Sequence, residues 1–123
     1  MIMNTHVVVL GASDKPDRYS YKAVELLREK GYDPIPVHPR GRAVSGIPAR
    51  RSLAEVTEDV DTVTLYVNAS VSAQMAEEIV NMRPRRIIFN PGAENEELAV
   101  RCRESGIETM NACTLVLLKT AQF

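Results

Sequence analysis

Five short apolar runs, separated by longer stretches with helical spacing, restrict this chain more than any other feature of its sequence. His6-Val7-Val8-Val9-Leu10 is almost continuously apolar and β-branched, as a strand buried on both faces of a parallel sheet must be. Asp33-Pro34-Ile35-Pro36-Val37, Asp61 to Val67, Arg86 to Asn90 and Ile107 to Met110 repeat the strand signal. Between the first two, Ala23, Val24 and Leu27 form an apolar helix face opposite Glu25, Arg28, Glu29 and Lys30, and Gly31 supplies the stop. Ser52-Leu53-Ala54-Glu55 has capping-box spacing, which predicts a short helix opening at Ser52. A further helix runs from about Val71, with Met75, Ala76, Ile79 and Val80 at helical spacing. Glu94, Glu96 and Glu97 favour the start of another, which Gly106 closes, and Ala112 to Lys119 forms the last.

This order, β-α-β-(short α)-β-α-β-α-β-α, predicts an α/β protein. Its sheet is Rossmann-like, doubly wound, mainly parallel and five-stranded, with helices on both faces and right-handed crossovers. The length of 123 residues suits one domain spanning residues 1–123, with no internal repeat. A formal net charge of −1 gives no electrostatic footprint for nucleic acid or an anionic membrane. No apolar run approaches the roughly 20 residues that span a bilayer, and Met1 to Val9 lacks the cationic start of a secretory leader. Cys102 and Cys113 form neither a disulfide framework nor a CxxC metal pair, so the expected compartment is the cytoplasm.

In open α/β sheets, ligands sit beyond the carboxyl ends of the strands, where the strand order reverses. The loops there are 11–20, 38–42, 68–70, 90–93 and 111–114. The first carries most chemistry. Gly11-Ala12-Ser13 turns tightly off the strand, and its amides, with the helix start near Ser20, are expected to make an anion-binding concavity. Ser13 adds a hydroxyl, Lys15 adds charge, and Arg18 has the fork geometry for a pyrophosphate. The bland alternative is a tight turn with Lys15 and Arg18 in solvent. The loop is neither GxGxxG nor GxxxxGK[ST], and the latter's lysine is absent. An NAD site also wants an acid after the second strand to hold the ribose 2′-hydroxyl. Here Val37-His38-Pro39-Arg40 ends that strand, and arginine there accommodates a phosphorylated ribose. NADP carries that phosphate on O2′ and coenzyme A on O3′.

Gly11-Ala12-Ser13 with Pro16, Arg18 and Ser20-Tyr21, Gly31-Tyr32, Pro36-Val37-His38-Pro39, Ser52 to Glu55, Asp61, Asn90 to Asn95 and Gly106-Ile107 follow one another across almost the whole chain. In this order they resemble the small stand-alone CoA-binding domain proteins, whose fold also forms the CoA-binding part of the succinyl-CoA synthetase α-subunit. The resemblance implies that Gly11, Ala12, Ser13 and Arg18 hold the pyrophosphate. Val37, His38 and Pro39 would flank the adenosine, with Arg40 on the 3′-phosphate. Val67, Asn68, Asn90, Pro91 and Gly92 would line the groove toward the pantetheine arm.

No catalytic constellation emerges. Glu77-Glu78 and Glu96-Glu97 fall on exposed helix positions, no His/Cys/Asp set has metal-ligand spacing, and Ser13 lacks an evident base. CoA ligases of the synthetase type phosphorylate a histidine from a second domain, whereas this chain has only His6 and His38, so that route is not expected of it. The expected function is a non-catalytic module for coenzyme A or acyl-CoA, a sensor or carrier acting with a partner protein. One alternative is an NADP-binding oxidoreductase or enzyme subunit. Another is a ligand-free interaction domain, in which an exposed Leu115 to Leu118 marks a partner or homodimer contact. Cys113, at the ligand edge, is either a small core residue or a thiol able to form a mixed disulfide with coenzyme A.

Overall fold

Val7, Val8, Val9 and Leu10 are almost fully buried, and the strand they form, β1 (His6–Leu10), is parallel-paired on both sides. The computed structural model describes residues 4–123; the leader expectation at Met1 to Met3 lies outside them. After β1 come α1 (Tyr19–Glu29), β2 (Asp33–Val37), a 3-10 turn (Leu53–Glu55) and β3 (Thr62–Leu65). Then follow α2 (Ala69–Gln74), α3 (Ala76–Asn81), β4 (Arg86–Phe89), α4 (Glu96–Glu104), β5 (Glu108–Asn111) and α5 (Thr114–Lys119). The sheet order is β2-β1-β3-β4-β5 with every pairing parallel, so the α/β, doubly wound expectation is met.

The alternation of side chains along each strand divides the core in two. Val8, Leu10, Ile35, Val63, Leu65, Ile87 and Phe89 meet the 3-10 turn, α3 and α4 through Leu53, Ile79, Leu98 and Cys102. Val7 and Val9 meet α1 and α5 through Val24, Leu27 and Leu118. Helices thus cover both faces. Leu115 and Leu118 are buried, and Val116 is the large exposed apolar residue of that helix at 54%. The expected exposed stretch at Leu115 to Leu118 is therefore corrected: helical periodicity turns two of its leucines inward.

The prolines of β2 are placed by hydrogen-bond geometry. Asp33 donates its amide to the Thr5 carbonyl at 3.0 Å, so Ile35 and Val37 direct theirs toward β1 as well. Pro34 and Pro36 fall at the alternate, outward positions, where a missing N–H costs the ladder nothing and discourages edge pairing. The outward Pro36 carbonyl accepts from the Arg50 amide, and His38 donates back to the Arg50 carbonyl, both at 2.9 Å. A single bridge residue thereby ties the long loop after β2 to the sheet.

Several boundaries differ from the sequence reading. Ser52 stands at the start of the 3-10 turn, but its side chain makes no capping hydrogen bond. The Glu55 amide donates to the Ser52 carbonyl at 3.1 Å and the Glu55 carboxylate accepts from the Arg51 amide at 3.3 Å, so the capping box does not close. The helix expected from Val71 begins at Ala69, because Asn68 caps it by accepting from the Val71 amide, and it breaks at Met75 into α2 and α3. β3 ends at Leu65, β4 at Phe89, and β5 is shifted one residue onward.

Arg50 also fixes its loop electrostatically. It donates to the Glu55 carbonyl and to Glu58 Oε1, each at 3.0 Å, and the guanidinium holds the Glu58 carboxyl at about 2, well below the usual 4.5. A carboxyl depressed on folding stabilises the protein above its unfolded pKa, and that contribution disappears as the pH falls from about 4.5 toward 2. Glu58→Gln is expected to lower stability at pH 7 by on the order of 1 kcal/mol. In denaturant titrations the two proteins should draw together as the pH falls toward 2 and converge only below it, where Glu58 too becomes neutral.

Candidate functional site

The chain leaves β1 for β2 on one side and returns to β3 on the other, so the loops after β1 and β3 part at the carboxyl edge and open a crevice. Gly11 sits at its base with φ +88°. A Cβ there would lie 2.7 Å from Val67 Cγ1 and 3.1 Å from the Tyr66 carbonyl oxygen. Only glycine accepts both that conformation and that approach.

Two adjoining cavities occupy this edge. One, of about 400 Å³, is lined by Gly11, Ala12, Ser13, Lys15, Arg18, Ser20, His38 and Arg40 from the sequence reading, together with Asp14, Tyr19, Arg42 and Tyr66. The other, of about 470 Å³, takes Val37, Pro39 and Val67 from that reading and adds Leu10, Arg51, Ser52, Val71 and Met75. Gly11, His38 and Tyr66 belong to both. The first is polar and cationic, whereas the second is mostly apolar. Charged and apolar ligand parts can therefore lie end to end across one wall.

The amide concavity expected at Gly11 to Ser13 does not form. Gly11 and Ala12 both donate to the Val37 carbonyl, at 2.9 and 3.2 Å. Ser13 donates its amide to Ser20 Oγ at 3.0 Å, and Lys15 donates to Ser13 Oγ at 3.1 Å. These bonds shape the loop and turn its donors inward. The free amide donors lie instead at the start of α1, where Arg18 holds the cap position without a side-chain cap and the first turn has no acid. The amides of Tyr19, Ser20 and Tyr21 have no partner among the described residues. An eleven-residue helix thus presents its positive end beside Lys15 and Arg18.

Across the cavity, His38 accepts from the Arg40 amide through Nδ1 at 3.1 Å, and Gly41 donates to the His38 carbonyl at 2.9 Å. The imidazole so braces the turn at Arg40. Tyr66 stands in the shared wall. Burial pushes its phenol up from the ordinary value, and its hydroxyl is buried without a hydrogen-bond partner among the described residues.

Asn68, Asn90, Pro91 and Gly92 are not brought to either cavity. Asn68 is engaged as the cap of α2. Asn90, only 2% exposed, donates to Thr64 Oγ1 at 2.6 Å and to the Leu65 carbonyl at 2.9 Å, and accepts from the Thr114 amide at 2.8 Å. It joins β3, β4 and α5, a structural task that its position after a strand did not reveal. Pro91 and Gly92 are exposed beside it. Cys113 is the half-buried cap residue of α5; Cys102 is in the core, where burial raises its thiol pKa.

Val71 and Met75 escaped the sequence reading because they stood there only as the start and the apolar spacing of a helix. Tyr66 was hidden inside an apolar strand pattern. Arg42 did carry a signal, since it lies within the loop at the carboxyl end of β2. Among the described residues no group of three or more His, Cys, Asp or Glu side chains could hold a metal ion, and no helix is long and apolar enough to cross a membrane.

Residues 5–119 match the family model described as CoA binding domain. A crystal structure of an uncharacterized protein superimposes with a TM-score of 0.92 at 39% identity, covering 99% of this chain and 100% of that one. The Thermus thermophilus protein cell-free ID.343 gives a TM-score of 0.87 at 29% identity over 98% of this chain and 91% of its own. The protein YneT of Bacillus subtilis (strain 168) is 30% identical over 100 residues, which are 81% of this chain and 74% of YneT.

Asn90→Ala should destabilise the fold by about 3 kcal/mol in denaturant unfolding, because it leaves the buried Thr114 amide without its acceptor and removes the amide donor to Thr64 and Leu65. Tyr66→Phe should leave stability within about 0.5 kcal/mol or raise it, since the hydroxyl it removes makes no hydrogen bond.

Proposed function

This chain belongs to the CoA binding domain family, and on that premise we propose that it is a non-catalytic module binding coenzyme A or an acyl-CoA across the two cavities. The observation that supports this most is the junction of a cationic cavity with an apolar one at the reversal of strand order. The pyrophosphate meets the free amides of α1 with Lys15 and Arg18. The ribose phosphate meets Arg40, on the turn braced by His38, together with Arg42 of the same loop. Val37, Pro39 and Val67 cover the adenine, and the pantetheine arm runs over the sheet edge, beyond the two cavities, toward Asn68, Pro91 and Gly92. Arg40 where an NAD site carries an acid favours a phosphorylated ribose over a bare one.

The module acts as a sensor or carrier that passes its ligand state to a partner protein. Two free cysteines suit the reducing cytoplasm. The second reading is an NADP-binding oxidoreductase subunit, since an O2′-phosphate would find the same cations after β2.

Thermal unfolding with coenzyme A, acetyl-CoA, NADP, NAD and ATP in parallel separates the readings. Coenzyme A should raise the midpoint, equivalent to about 2.7 kcal/mol at a hundredfold excess over Kd. Arg18→Ala should reduce that shift while leaving the unliganded midpoint unchanged. A shift with NADP alone would move the protein to the second reading, and an Arg18→Ala variant with parental affinity would remove Arg18 from the site.

A further inference from the structure

The charged side chains lining the polar cavity are Lys15, Arg18, Arg40 and Arg42, all cationic, and one carboxylate, Asp14. Asp14 belongs to the loop after β1 and Arg42 to the loop after β2. Their side chains face each other across the cavity with Oδ2 and Nη1 3.6 Å apart. At that separation the pair is an ionic contact without a good hydrogen bond. Both side chains are open to solvent, 66% exposed for Arg42 and 38% for Asp14. The contact therefore restrains Arg42 little and chiefly neutralises it.

We propose that Asp14 is an affinity-setting residue that pairs with Arg42 at the cavity and competes there with the phosphate on the ligand's ribose. This inference rests on the coenzyme A reading of the site. A phosphomonoester carries about −1.5 to −2 charges at neutral pH and three acceptor oxygens, so it displaces a single carboxylate from a guanidinium. A ribose hydroxyl at the same place carries no such charge and leaves the Asp14–Arg42 pair standing. Every binding event with a phosphorylated ribose must break that pair, and every release re-forms it. The residue so keeps the ligand exchangeable, as a sensor or carrier requires. Because exposed pairs are weak, the effect belongs in the range of a few-fold, mostly in the dissociation rate.

Titration calorimetry at low ionic strength with coenzyme A and 3′-dephospho-CoA tests this on the parent, Asp14→Asn, Arg42→Ala and the double variant. Asp14→Asn should tighten coenzyme A about three- to fivefold and change 3′-dephospho-CoA by less than about 1.5-fold. In the Arg42→Ala background the same substitution should have no comparable effect on coenzyme A. Equal tightening toward both ligands, or equal tightening with and without Arg42, would mean plain through-space repulsion and overturn the inference. Unchanged or weaker coenzyme A binding by Asp14→Asn would overturn it too, with the ligand reading intact. A parent protein that binds neither ligand would remove the ligand reading and this inference together. Unliganded melting temperatures of all four proteins, expected to agree closely, establish that each is folded.

Discussion

β1 is hydrogen-bonded along both edges and covered on both faces, and the remaining layout follows from that one constraint. A strand in this position leaves no room beside it, so the chain must depart to β2 on one side and come back to β3 on the other. The departure fixes the crevice at the carboxyl edge. Gly11 lets the departing backbone press against the end of β3, where any side chain would collide with Val67. The location of the site is thus a product of burial and connectivity before any ligand chemistry enters.

Hydrogen-bond accounting then decides how that crevice can hold an anion. The amides nearest the strand end are engaged with Val37, Ser20 and Ser13, which leaves them unavailable as a cradle. The donors that remain free are those every helix start leaves over, and α1 leaves its own uncapped and without acids in the first turn. Lys15, Arg18, Arg40 and Arg42 add positive charge around this base.

The opposite end of the sheet shows the same physics used for stability. Arg86 is buried, donates to Thr62 Oγ1 at 2.9 Å and lies 4.3 Å from the centroid of Phe123. Phe123 in turn packs edge-on against Tyr32 with centroids 5.0 Å apart. A buried cation is tolerable when a hydroxyl and an aromatic face replace part of its water, and burial lowers its pKa accordingly. Asn90 serves likewise between β3, β4 and α5, with both ends of its amide satisfied.

The sequence by itself determined the α/β class, the five strands and the loops that carry the site. Those depend on hydrophobic period and on glycine stops, which are local properties of a chain. It also determined the cationic character of the loops after β1 and β2, because residue types are visible without coordinates. The direction of the loop amides, the break of the helix at Met75 and the structural task of Asn90 were decided only by tertiary packing. Each depends on which acceptor or neighbour arrives from a distant segment. Asn68 and Asn90 look alike as polar residues after strands, yet one caps a helix at the surface and the other is sealed among three elements. Tyr66 and Val67 read as the end of a strand, and they become the wall of a site only because β3 returns beside Gly11. Spacing along the chain records periodicity, whereas a binding site is made by contacts between segments far apart in sequence.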